Sequence, residues 1–158
     1  MTFKSKLDLL HTLDAEINIQ LLMLEELKTA AAKTTPVMHF APSGHGGNSR
    51  SMESLAVKIA DMSKDINAKT DEFVDLKREL IDTISAIPDP RYRNVLLLRG
   101  IQGLSWKETA KKMHFSFAHV RELWKDAILA VEKPKAFENQ HNSATISNNQ
   151  HVENGVIT

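Results

Sequence analysis

The 158-residue sequence has no cysteine, so disulfides, thiolate metal sites and cysteine nucleophiles are excluded. Aromatic residues make up only 6% of the chain, while hydrophobic residues together make up 42%, so a core has to come mainly from aliphatic side chains. No apolar run approaches the roughly 20 residues that a membrane-spanning helix needs. The opening MTFKSKLDLL has neither the uninterrupted apolar stretch nor the small-residue cleavage site of a secretory signal. These absences predict a cytoplasmic protein with no membrane contact. The length suits one compact domain or two small ones.

Net charge is also lacking, since 20 Lys/Arg balance 20 Asp/Glu. The balance hides a strong asymmetry. Residues 1–85 carry 10 Lys/Arg against 13 Asp/Glu, residues 86–135 carry 10 against 5, and residues 136–158 carry none against 2. A net charge of +5 is thus confined to fifty residues, as expected of a polyanion-binding module on a neutral carrier.

Periodicity supplies the organisation. From Phe3 to about Lys33, Phe3, Leu7, Leu10, Ile17, Leu21 and Leu24 recur in steps of four and three, with Leu13 and Leu27 widening the stripe. This predicts one long packed helix. Asp14 falls on the seam, either as a register-setting residue or tilted to its edge, and the edge is the expectation. Residues 34–51, with two prolines and three glycines, read as a flexible loop. Apolar spacing resumes at Met52, Leu55, Ile59, Met62 and Ile66 and runs to Ile87, where Pro88 and Pro90 end it. The two long helices predict an antiparallel hairpin over residues 1–86. Their stripes bury each other or a second subunit, so a homodimer through the N-terminal helices is expected. Residues 136–158, rich in Asn, Gln and Ser without apolar periodicity, read as a disordered tail.

Residues 87–135 carry the functional signal. Asp89 caps a predicted helix with Pro90 at its first position, ending near Gly100 or Gly103. Ser105 and Glu108 form a capping box for a short helix, Trp106 to Met113. After the turn His114-Phe115-Ser116, Ser116 caps a third helix from about Phe117 to Val131. Short helix, tight turn and longer helix make a helix-turn-helix. Ala110 is the small residue where the two helices cross, and Phe115 or Met113 supplies an apolar side chain at the turn. The exposed start of the third helix would meet base edges in the major groove with Phe117, Ala118, His119, Arg121, Glu122 and Lys125. Arg121 suits guanine, Glu122 cytosine N4, and Ala118 a thymine methyl. Lys107, Lys111 and Lys112, with Arg91, Arg93 and Ser116, are the expected phosphate contacts. Trp106 and Trp124 are expected to pack rather than to stack on a ligand.

The pattern Ile87-Pro88, Arg93-x-Val95-Leu96-x-Leu98-Arg99, Gly103-Leu104-Ser105-Trp106-x-Glu108-Thr109-Ala110 and Ser116-x-x-x-Val120 resembles sigma-70 region 4. The resemblance covers about 45 of the 158 residues. It implies a helix that reads promoter DNA and nearby surfaces that touch RNA polymerase. Ser105-Trp106 behind a long helical N-terminal region looks more like phage and prophage late regulators of the RinA and ArpU kind. That resemblance places the protein in a bacterial host cell. Residues 1–85 lack the aromatic-rich character of the sigma region that binds the −10 element.

No other chemistry gathers support. His39 and His45 lie in the loop and His141 and His151 in the tail, with no helical zinc spacing. The segment PSGHGGNSR lacks the phosphate-loop pattern, and no carboxylates converge. The expectation is therefore an all-α protein that is not an enzyme and has no cofactor or metal. It would consist of a long antiparallel helical hairpin, a compact three-helix helix-turn-helix module and a disordered tail. Its expected role is a transcription regulator that binds double-stranded DNA. The alternatives are a phage small terminase subunit recognising packaging DNA and an RNA polymerase-binding protein that does not itself read DNA.

Overall fold

The computed structural model describes residues 1–34 and 48–134. It is all-α, with no strand among the described residues. Helix α1 spans Phe3–Thr34, α2 Asn48–Ser85, α3 Pro90–Val95, α4 Trp106–Met113 and α5 Phe117–Glu132. Between α3 and α4 the chain continues as a π-helical segment, Leu96–Ile101. No helix of the described residues is long and apolar enough to cross a membrane. The expected loop over residues 34–51 is shorter at its C-terminal end, because α2 already begins at Asn48. Residues 35–47 and the expected disordered tail lie outside the described residues.

The buried edge of α1 follows the expected stripe at Phe3, Leu7, Leu10, Leu13 and Leu24. It departs from it in the middle. Asp14 is exposed, while Leu13 is buried at 6%. Leu21, expected on the seam, is 46% exposed, and the half-buried Gln20 takes its place. Where the sequence allows a step of three or four, burying a leucine is favourable and burying a carboxylate costs several kcal/mol, on the order of its desolvation. The stripe therefore takes the shorter step and stays one residue earlier. One consequence is that Gln20 Oε1 is buried with no hydrogen-bond partner.

By contact the chain divides into two compact units. One comprises Leu9–Leu76, the other Met1–Asp8 together with the residues from Lys77 on. Composition and charge place a boundary at residues 86 and 87 instead. In the Leu9–Leu76 unit, α1 and α2 pair through an ion pair between Glu16 Oε2 and Lys69 Nζ at 2.6 Å. Those residues stand about equally far from the 34–48 connection, which is the pairing of antiparallel helices. Leu10, Leu13, Leu24 and Ile66 are its buried apolar residues.

In the other unit, Leu80 and Ile84 of α2 and Ile87 are buried along with Tyr92, Val95, Leu96, Val120, Leu123 and Ala127. The start of α1 belongs to this core. Phe3 and Leu7 are buried, the Lys4 N–H donates to Glu132 Oε1 at 3.1 Å, and Lys6 pairs with Glu79. Gly100 marks the tightest approach. A Cβ there would stand 3.2 Å from both Leu7 Cδ atoms and 3.5 Å from the Trp124 ring.

The corner between α2 and α3 is held by side chains that bond to backbone. Asp89 Oδ1 accepts from the Arg91 N–H at 2.8 Å, and Pro90 occupies the first turn of α3, which needs no N–H there. The Arg93 guanidinium donates to the carbonyls of Ile87 and Pro88 at 2.6 and 2.8 Å. The π-helical segment closes with the Gln102 N–H on Leu97 O at 2.9 Å, and the chain leaves it through Gly103 at φ 68. A left-handed residue at that place favours glycine.

Because a side chain at residue 100 would press on Leu7 at 3.2 Å, Gly100→Val is expected to destabilise the protein by about 1–3 kcal/mol through overpacking. Denaturant unfolding measures this, and an unchanged midpoint would show that Leu7 moves aside freely.

Candidate nucleic-acid interface

Helix α4 starts with the expected reciprocal cap. Ser105 Oγ accepts from the Glu108 N–H at 3.2 Å, and Glu108 Oε2 accepts from the Ser105 N–H at 2.8 Å. Hydrogen bonding from the Ser105 side chain, and then from its N–H, holds the Glu108 carboxyl below its ordinary value of 4.5. Thr109 is fully buried, and its hydroxyl donates to Ser105 O at 2.8 Å. Ala110 is 8% exposed and serves as the small residue at the crossing of α4 and α5.

The turn has a geometry that the sequence does not announce. His114 adopts the left-handed conformation, φ 56 and ψ 36, where glycine is the usual residue. The Phe115 N–H reaches back to Ala110 O at 3.1 Å and the His114 N–H to Lys111 O at 3.3 Å, so two of the last four carbonyls of α4 are satisfied. Of the two candidates for the apolar turn residue, Met113 is half-buried. Phe115 is exposed, with its ring edge-to-face on His119 at 4.8 Å. Ser116 then caps α5, its Oγ accepting from the His119 N–H at 3.2 Å.

Val120, Leu123 and Ala127 are the buried edge of α5. At 100° per residue this turns Ala118, Arg121, Glu122 and Lys125 to the opposite side and leaves Phe117 on the flank next to Arg121, and all five are exposed. His119 is exposed as well, but it projects off this face toward Phe115. The charges on the face are unevenly committed. Glu122 Oε1 pairs with Lys125 Nζ at 3.1 Å, whereas the Arg121 guanidinium lies 5.9 Å from the Phe117 ring centroid. On α4, Lys107, Lys111 and Lys112 are exposed. Among the described residues none of these three lysines, nor Arg121, pairs with a carboxylate.

The expected phosphate contacts therefore fall into two groups. Lys111 and Lys112 stand in the last turn of α4, just before the turn and Ser116, and Lys107 stands in the first turn of the same helix. Arg91 and Arg93 lie at the other end of α5. Arg91 lines a groove with Ala130 and Val131, about 20 Å from Phe117 at 1.5 Å per residue. It forks onto Asp89 with Nε at 3.2 Å and a terminal nitrogen at 2.7 Å. That side-chain hydrogen bond pushes the Asp89 carboxyl below its ordinary range. Arg93 is half-buried, with its guanidinium bonded to backbone carbonyls. Locally, both arginines hold the α2–α3 corner.

A second cation-aromatic group supports the interface from behind. The edge of one indole meets the face of the other, with Trp106 and Trp124 at 5.9 Å and 89°. Arg99 lies over the Trp106 ring at 4.7 Å and donates to Leu104 O at 2.6 Å. Trp106 and Trp124 are half-buried packing residues, as expected. In the sequence Arg99 stands out only as part of the sigma-70 region 4-like pattern, which does not reveal that its guanidinium lies over Trp106. Among the described residues no three His, Asp or Glu side chains gather as a metal site.

The family described as "Protein of unknown function (DUF1492)" matches residues 34–132, more than half of the chain. The match runs through α2 and the whole of the α3–α5 module. No curated protein and no solved structure matches the chain.

Removing the cap with Ser105→Ala is expected to cost about 1 kcal/mol of stability. The lowered Glu108 carboxyl has a definite sign. Its stabilising contribution is present above the ordinary carboxyl value and is lost as pH falls through the lower folded value. Acid unfolding below about pH 4.5 is therefore expected to be shallower in Glu108→Gln than in the wild type. Parallel acid profiles for the two proteins would count against the cap as a source of stability.

Proposed function

This chain belongs to the DUF1492 family of proteins of unknown function, and from that starting point we propose that it is a sequence-specific double-stranded DNA-binding transcription regulator. The observation that carries the reading is the outer face of α5. In its first two turns that face carries a guanidinium with no acid partner among the described residues. The preceding helix adds three exposed lysines that form no ion pair there, although the charge of Lys112 acts on the Glu108 carboxyl. A major groove admits a helix of this size, and residues at the start of such a helix meet base edges. The lysines meet the phosphates that flank the groove. The net +5 of residues 86–135 adds a salt-dependent attraction that requires no sequence.

The motif resemblance to sigma-70 region 4, and to phage and prophage regulators of the RinA and ArpU kind, agrees with this reading. It puts the activity on DNA in the cytoplasm of a bacterial host. Arg91 and Arg93 have a smaller part in it, because both are engaged at the α2–α3 corner.

Dimerisation belongs to the same proposal. Within the Leu9–Leu76 unit, Ile19, Leu22 and Met23 of α1 are 57%, 69% and 48% exposed. Spaced i, i+3 and i+4, they form one apolar strip on a helix whose other side is already buried. A second copy covers such a strip, and paired modules on paired half-sites raise affinity and specificity together.

Selection of the full-length protein against random duplexes tests DNA reading. One enriched motif is expected, with Arg121→Ala weakening binding about 10- to 100-fold. Joint Lys107→Ala, Lys111→Ala and Lys112→Ala is expected to lower the slope of log affinity on log salt by about 2–3. Motif-free, Arg121-independent binding, with capture of RNA polymerase, would transfer the module to protein docking. Light scattering is expected to give a dimer, and Ile19→Glu with Leu22→Glu a monomer. A wild-type monomer removes the dimer, and a large ring would favour the small terminase reading.

A further inference from the structure

We infer that Phe117 and Arg121 act as one reading unit, selecting a thymine and a guanine on neighbouring base pairs. This rests on the DNA-binding reading above and adds to it what the helix selects.

The exposed face of α5 leaves few groups available. Glu122 and Lys125 occupy each other. His119 lies off the face against Phe115. Ala118 offers a single methyl group. What remains is a large apolar ring and one guanidinium. Phe117 is 45% exposed at the first position of the helix, so much of its ring is open to a partner. Arg121, one turn on, lies against that ring at 5.9 Å, within the range of a cation-π contact. The ring restricts the long arginine side chain, so less rotamer freedom is lost when it binds.

Each half has one good partner in the major groove. Guanine presents O6 and N7, which match a bidentate guanidinium, and thymine alone presents a C5-methyl group, which an apolar ring can cover. Stacked base pairs are about 3.4 Å apart. The ring and guanidinium, with centres 5.9 Å apart, span between one and two such steps, which keeps their two bases close together and allows adjacent pairs. The guanidinium alone would specify guanine with any neighbour. The ring makes the neighbour a thymine.

The test uses the full-length protein and the motif it enriches, with deoxyuridine replacing the thymine next to the invariant guanine. This substitution removes only the methyl group. Wild-type binding is expected to weaken about fourfold, the effect of one buried methyl. In Phe117→Ala the thymine and deoxyuridine duplexes are expected to bind alike, while Arg121→Ala loses the guanine preference. The deoxyuridine comparison on wild-type protein needs no folded variant. An enriched motif without adjacent thymine and guanine, or one indifferent to the methyl group, overturns this inference and leaves DNA reading intact. Absence of any enriched motif removes both.

Discussion

The rotation of α5 about its own axis is the constraint on which the functional surface depends. Val120 and Ala127 have no solvent exposure and Leu123 only 4%. Turning the helix by one residue would expose part of that stripe and bury charged groups in its place, and both changes are unfavourable by kilocalories. Once the stripe is fixed, so is the face opposite it. Arg121 and Lys125 owe their exposure to the burial of Val120, Leu123 and Ala127 on the same helix, and Phe117 lies at the flank of that stripe. Helix α4 contributes from its own side, with Thr109 and Ala110 buried where the two helices meet.

Around that core the protein uses backbone hydrogen bonds made by side chains wherever a helix ends. Ser105 and Glu108 close the start of α4, Ser116 the start of α5, and Asp89 the start of α3. Arg93 and Arg99 do the complementary work on carbonyls, at the α2–α3 corner and at Leu104. Short helices need such caps, because the α3–α5 helices range from six to sixteen residues and unsatisfied end groups form a large share of their backbone. The same devices explain why charged residues that look alike in the sequence differ in availability. An arginine bonded to carbonyls or to a carboxylate is part of the fold. The lysines of α4 face solvent and form no ion pair among the described residues.

The start of α1 is tied to the same core. Leu7 lies against Gly100, and the first residues of the chain share a compact unit with those from Lys77 on. The family match begins only at residue 34, so the matched region and the compact unit overlap without coinciding. The helix-turn-helix is thus not packed as an isolated fifty-residue piece. Its core includes Leu80 and Ile84 from α2 and Phe3 and Leu7 from α1.

Much of this was legible in the sequence because the signals are local. Apolar spacing gave α1 and α2, and Asp89-Pro90, Ser105 with Glu108, and Ser116 marked the starts of three helices within a residue of where they fall. Capping and periodicity act over three to seven residues, a range the sequence displays directly. The exposed face of α5 followed from the same rule, apart from the direction taken by His119. Only the tertiary structure decided the rest. It chose Leu13 over Asp14, and so Gln20 over Leu21, since a helix step of three or four is settled by what lies across from it. It put His114 in the left-handed region and widened the turn at Leu96–Ile101. It also separated Arg91 and Arg93 from the lysines of α4 and bound Arg99 to Trp106. Each of these depends on groups distant in sequence or on backbone closure around them, and periodicity carries no record of either.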